Sequence, residues 1–208
     1  MKVRVGYGLG AQRGLDRASL AELVDGLETR GFDSLWLSER VTAPAPDPII
    51  GLTFAAARTE RLKLGTSVQV LPGRNPALLA KELASLDVLS DGRFLPAFGL
   101  GNVVAGEQQA FGVAREERAP WFNEALPLIR RLWSEDRVDH DGPRFHYEQL
   151  TVRPKPVQQP LDVWLGGRAP SELRRVGRLG DGWLASFVTP DDCATARPVI
   201  ETAALDAG

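Results

Sequence analysis

The stretch LKLGTSVQVLPGRNPALLAKELASLDVLSDGRFLPAF, residues 62–98, decides the fold. It opens with a run of strand length, Leu62 to Leu71. Asn75-Pro76 then supplies a helix cap with proline at the first helical position. Leu79, Leu83 and Leu86 recur at helical spacing and give that helix one apolar stripe, which ends near Asp91-Gly92. Phe94 to Phe98 is a second apolar run. A strand, an amphipathic helix and a second strand make a βαβ unit, whose two strands are parallel.

The same rhythm extends in both directions. Upstream, Val3 to Leu9 reads as strand one. A helix opens at Ser19 with Glu22 three residues on, carries Leu20, Leu23, Val24 and Leu27 inward, and stops at Gly31. Ser34 to Ser38 is strand two, followed by a helix from Pro48 to Thr59. Downstream, a long helix places Phe122, Ala125, Leu126, Ile129, Leu132 and Trp133 on one face. Val138 to Tyr147, with Asp141-Gly142 at its turn, reads as a β-hairpin excursion. Strand five is Val163 to Leu165, with a helix starting near Pro170. Strand six is Trp183 to Val188, with a last helix starting near Pro190. That makes six strands and six helices in one α/β domain spanning 1–208.

Two parallel architectures satisfy this pattern. One is an open, doubly wound sheet. The other is a (β/α)8 barrel of the TIM type, represented by six of its βα units and carrying the hairpin as an insertion before strand five.

Composition narrows the function. The chain has 208 residues, 25 Lys plus Arg against 27 Asp plus Glu, and a formal charge of -2. The charges are interleaved, so neither a nucleic acid nor an acidic membrane surface is an expected partner. No apolar stretch approaches the ~20 residues that cross a bilayer, and the first residues do not read as a signal peptide, so a cytoplasmic protein is expected. The single cysteine, Cys193, has no disulfide or metal partner. His140 and His146 share the hairpin without a ligand set around them, and no metal is expected.

In either architecture a ligand sits beyond the carboxyl ends of the strands. Those ends carry Ser38-Glu39-Arg40, Thr66-Ser67-Val68-Gln69, Gly99-Leu100-Gly101-Asn102 and Gly166-Gly167-Arg168. Glycines let a backbone approach a ligand closely. The helix starting near Pro170 offers free amides to an anion, and Arg168 adds a guanidinium. Gly99-Leu100-Gly101 is not a dinucleotide fingerprint, because Val104 stands where the third glycine would be. Glu39 and Arg40 are the candidate pair for acting on a substrate.

The segment Arg74-Asn75-Pro76 through Ala80-Lys81 and Leu86-Asp87 to Ser90-Asp91-Gly92-Arg93 resembles a signature of the luciferase-like monooxygenase superfamily. Phe111-Gly112 with Arg118, Leu132-Trp133, Arg153-Pro154-Lys155-Pro156 with Gln158 and Pro160, Trp164 with Gly166-Gly167, and Gly180-Asp181-Gly182-Trp183 resemble further blocks, in family order. The opening Val3 to Gly8 resembles the branch assigned to the deazaflavin coenzyme F420. The resemblance implies a (β/α)8 barrel and a homodimer. It implies hydride chemistry on F420, or FMN-dependent oxygenation, with a small organic substrate. It also implies a cis peptide at Ser67–Val68 backing the cofactor ring, ring-lining positions at Gly99, Gly101 and Asn102, and ring- or phosphate-bordering positions at Gly166, Gly167 and Arg168. The sugar-phosphate branch has Asp-His after strand two and Glu after the strand-four glycines. Glu39-Arg40 and Asn102 stand there in this chain, which argues against glucose 6-phosphate as substrate. The rival reading is a non-catalytic partner subunit of the same fold.

Overall fold

The structure, a computed structural model, describes residues 3–208. β1 (Gly6–Leu9), α1 (Arg17–Thr29), β2 (Ser34–Leu37), α2 (Pro48–Ala56) and β3 (Lys63–Thr66) open the chain. β4 (Gln69–Val70) continues β3 past a break at Ser67–Val68. After α3 (Pro76–Leu89), one strand again comes in two halves, β5 (Phe94–Leu95) and β6 (Ala97–Gly99). Then follow α4 (Ala105–Phe111), α5 (Arg115–Ser134), the hairpin β7 (Val138–Asp141) and β8 (His146–Leu150), β9 (Trp164–Leu165), α6 (Pro170–Leu179), β10 (Gly182–Trp183) and α7 (Pro190–Leu205).

Strand pairing chooses between the two architectures. β1 pairs with β2, β2 with β3, β3 with β5, β4 with β6, β6 with β9 and β9 with β10, all parallel. Since β3/β4 and β5/β6 are halves of single strands, spatial order equals chain order throughout. A doubly wound sheet reverses its order at a switch point; this sheet never does. Right-handed crossovers without reversal put every connecting helix on one face and curl the sheet into a barrel arc. Six of the eight units of a (β/α)8 barrel are therefore present.

The two faces of the arc are built differently. Leu35, Leu37, Leu64, Phe94, Phe98 and Leu165 are buried in the core between sheet and helices. Each contributes about 1.5–3 kcal/mol through burial. In a second series, the indoles of Trp36 and Trp164 lie with centroids 5.9 Å apart. Small residues make room for them: a Cβ at Gly65 would sit 2.2 Å from Trp36, and one at Gly182 2.9 Å from Trp164.

Helix starts follow local chemistry. Asn75 Oδ1 accepts from the Ala77 and Leu78 amides at 2.9 and 3.1 Å, with Pro76 behind it. The expected start at Ser19 is corrected: Asp16 is the cap, and its carboxylate accepts from the Ser19 amide at 2.8 Å. Strand three is not continuous, strand six is only two residues long, and Val3 and Val5 lie outside β1 as exposed side chains. Helix α4 was not anticipated. Its one buried residue is Glu107, so it carries no apolar stripe to betray it.

Buried polar groups tie the layers together. Asp87 accepts from the Gln158 amide at 3.0 Å and from Gln158 Nε2 at 2.7 Å, which pins the Pro-rich connector to α3. His140 pairs with Glu124 and His146 with Asp141 in the hairpin region. Cys193 is half-buried in the first turn of α7. Among the described residues no helix is long and apolar enough to cross a membrane.

Candidate active site

The loops at the carboxyl ends of the strands enclose a cavity of about 600 Å³. Glu39, Arg40, Ser67, Val68, Gly99, Gly101, Asn102, Gly166 and Gly167 all line it. Nine of the ten residues singled out in the sequence therefore converge. The exception is Arg168, which lines a separate groove between α6 and α7. Its Nη1 donates to the Phe187 carbonyl at 3.0 Å.

Val68 forms a wall of the cavity. The Ser67–Val68 peptide is cis, as the resemblance implied. A Cβ at Gly99 would lie 2.6 Å from Val68 Cγ2, and one at Gly166 would lie 3.1 Å from Val68 Cγ1. Those two glycines are required because the valine packs directly against their backbone. Gly101 serves differently, holding φ at +84° in the loop after β6.

Side chains fix this backbone from behind. Glu39 Oε2 accepts from the Val70 amide at 2.6 Å, and Arg74 Nε donates to the Val70 carbonyl at 3.0 Å. Glu39 and Arg74 also pair with each other. The Glu39 side chain is only 4% exposed, and burial pushes its carboxyl above the usual range, offset in part by Arg74 and the Val70 amide. Ser38 Oγ donates to the Ser67 carbonyl at 2.8 Å. Arg118, buried on α5, donates from Nη1 to the Asn102 carbonyl at 2.9 Å and so holds the loop containing Gly101.

Glu107, Glu172 and Phe187 are among the lining residues that sequence reasoning missed. Glu107 is 2% exposed and reaches from α4 to the turn after β2. Its carboxylate accepts from the Thr42 amide at 2.8 Å, from Thr42 Oγ1 at 2.5 Å and from the Val41 amide at 3.3 Å. Burial alone would raise its pKa; the Thr42 and Val41 donors and the Arg40 charge outweigh that and hold it below the usual carboxylate range. Glu172 is similarly engaged, accepting from the Arg168 and Ala169 amides at 2.9 Å each. The two amides just before α6 are thus already bonded within the chain.

The charge available to a ligand follows from these bonds. Glu39, Glu107 and Glu172 are all consumed in internal hydrogen bonds. Arg40 makes no side-chain hydrogen bond or ion pair among the described residues. The cavity therefore presents glycine backbone, an apolar valine wall and the Arg40 guanidinium, whose charge also acts on Glu107.

The sequence profile of the luciferase-like monooxygenase family matches residues 2–208. An F420-dependent glucose-6-phosphate dehydrogenase of Kineococcus radiotolerans is 32% identical over 194 residues, covering 88% of this chain and 56% of that protein. A protein of the same description from Intrasporangium calvum is 34% identical over 181 residues, covering 79% of this chain and 53% of its own length. The chain thus spans about half the length of these curated relatives. Among solved structures, a monooxygenase from Streptomyces bottropensis superposes with TM-score 0.87 at 26% identity, over 99% of this chain and 67% of that one. A coenzyme F420 dependent tetrahydromethanopterin reductase from Methanopyrus kandleri superposes with TM-score 0.84 at 23% identity, over 100% of this chain and 62% of that one, and shows the shared fold. With consecutive parallel strands and a profile match over nearly its whole length, the chain belongs to the luciferase-like monooxygenase family.

Proposed function

We propose that this chain is an oxidoreductase that binds coenzyme F420 at the carboxyl-end cavity and passes a hydride between it and a small organic substrate. The observation that carries the reading is the glycine-backed Val68 wall, where Gly99 and Gly166 leave no space for a Cβ and keep a flat surface open to the cavity. A flat tricyclic ring fits such a surface, and the cavity of about 600 Å³ is of the size of ordinary cofactor sites. When bound, the cofactor supplies the hydride chemistry; the protein supplies position, electrostatics and exclusion of water.

In this reading Ser67, Val68, Gly99, Gly101, Asn102, Gly166 and Gly167 hold the ring. Glu39 is a positioning residue, because its carboxylate is spent on the Val70 amide and on Arg74. Arg40 is the group left to polarise a substrate oxygen. Arg168 acts from outside the cavity by holding the Phe187 carbonyl. The chain works in the cytoplasm as a homodimer, which would cover Ile50 and Leu78, apolar side chains left 68% and 66% exposed on α2 and α3.

Titration of the chain with oxidised F420 and, separately, with FMN, followed by cofactor fluorescence, tests the reading. Saturable micromolar binding of F420, tighter than that of FMN, is the expected result. Tighter FMN binding would move the reading to flavin-dependent oxygenation. Absence of binding for both would favour the partner-subunit reading, although an open cavity speaks against it.

A further inference from the structure

Phe187 combines three features that rarely coincide. It stands between β10 and α7 with φ at +54°, in the left-handed region. That conformation suits glycine or asparagine and is strained for a bulky side chain. Its side chain is 93% exposed, more than any other large apolar side chain among the described residues, so the phenyl ring gains nothing from burial in the protein. It also lines the same cavity as Val68, Gly166 and Gly167. The loop is held in this state rather than drifting into it: Arg168 Nη1 donates to the Phe187 carbonyl, and Trp183 Nε1 donates to the Gly167 carbonyl on the neighbouring rim. A strained backbone that presents an uncovered aromatic ring to a cavity is stable only at the expense of folding, and it makes sense when a ligand completes the contact.

We propose that Phe187 is a specificity-determining residue whose ring packs against the tricyclic ring of bound F420; this rests on the cofactor reading above. Aromatic rings prefer offset or edge-to-face packing on other flat rings, and such contacts change affinity by roughly three- to tenfold.

The test uses the full chain, F420 as the probe, fluorescence titration for affinity and thermal melting without ligand for stability. Phe187→Gly removes both the strain and the ring. Phe187→Leu keeps the strain and an apolar side chain but removes the aromatic face, and Phe187→Trp keeps the aromatic face. F187G and F187L are expected to weaken F420 binding roughly three- to tenfold, and F187W to restore it. The ligand-free melting temperature of F187G is expected to equal or exceed that of the wild type. A residue with a purely structural role would instead lower melting and leave affinity alone, and that outcome overturns the proposal. Equal F420 affinity in wild type, F187G and F187L overturns the proposal while leaving the cofactor reading intact. Failure of the wild-type chain to bind F420 overturns both.

Discussion

Replacing Gly99 by alanine tests the cavity wall at its tightest point. Gly99 has no positive φ, so its backbone accepts alanine, and the new methyl meets only Val68. The added Cβ would lie 2.6 Å from Val68 Cγ2, about 1 Å inside ordinary contact. Overpacking of this size costs about 2 kcal/mol. At Gly166 the corresponding distance is 3.1 Å, to Val68 Cγ1, so alanine there should cost less, about 1 kcal/mol. Val68→Ala alone removes two methyl groups from a half-buried side chain and should cost about 1 kcal/mol. In the double mutant G99A/V68A the clashing Cγ2 is gone. The nearest remaining atom is Val68 Cβ at 3.7 Å, an ordinary contact. The pair should therefore cost about 1 kcal/mol rather than the additive sum of about 3 kcal/mol, a coupling of about 2 kcal/mol. Urea unfolding with an unchanged m-value measures all four corners of the cycle. Additive costs, or a larger cost for G166A than for G99A, would refute the claim that Val68 packs directly on these glycines.

Three other outcomes follow from the site's hydrogen bonds. Glu107→Ala should lower stability by about 2 kcal/mol, since charge-assisted bonds are strong but the exposed Val41 and Thr42 donors regain water. Because the Glu107 carboxyl is held below its usual range, its contribution is present at neutral pH and is lost as pH falls through the folded-state value; the stability difference between wild type and E107A should shrink in acid, and a constant gap would contradict this. Arg40→Gln should change stability by less than about 0.5 kcal/mol, whereas Arg74→Gln should cost about 2 kcal/mol by stranding buried Glu39; thermal melting in the reverse order would refute the division of roles. Asp87→Ala should cost about 2 kcal/mol, because it leaves the Gln158 amide without its acceptor and Gln158 Nε2 with only the Phe94 carbonyl, and a loss below about 0.5 kcal/mol by urea unfolding would show that the connector is held otherwise.

The parts of the fold legible in the sequence are those written in side-chain periodicity. The stripe from Phe122 to Trp133 is fully buried on α5, and Asn75-Pro76 caps α3 as its chemistry dictates. The choice between open sheet and barrel was not legible, because strand order is a long-range property that both architectures satisfy locally. Only the family resemblance pointed to the barrel, and consecutive pairing bears it out. The same holds for the site. Glycines and polar residues at strand ends marked the rim, but which of them face the cavity depends on neighbours far away in the chain. Arg168 lines the groove between α6 and α7, and its guanidinium bonds a carbonyl nineteen positions away. Glu107 escaped notice because its partners, Val41 and Thr42, lie more than sixty positions upstream and its helix has no apolar face. That Glu172 folds back onto the Arg168 and Ala169 amides, just ahead of α6, was likewise not legible in the sequence.

Hydrogen–deuterium exchange with and without F420 tests the central claim most directly, since it locates the ligand on the chain. Protection is predicted at the backbone of residues 67–70, 99–102 and 166–167, with the hairpin 138–150 unchanged. Protection confined to the groove between α6 and α7, or spread without focus across the helices, would contradict a cofactor seated on the Val68 wall.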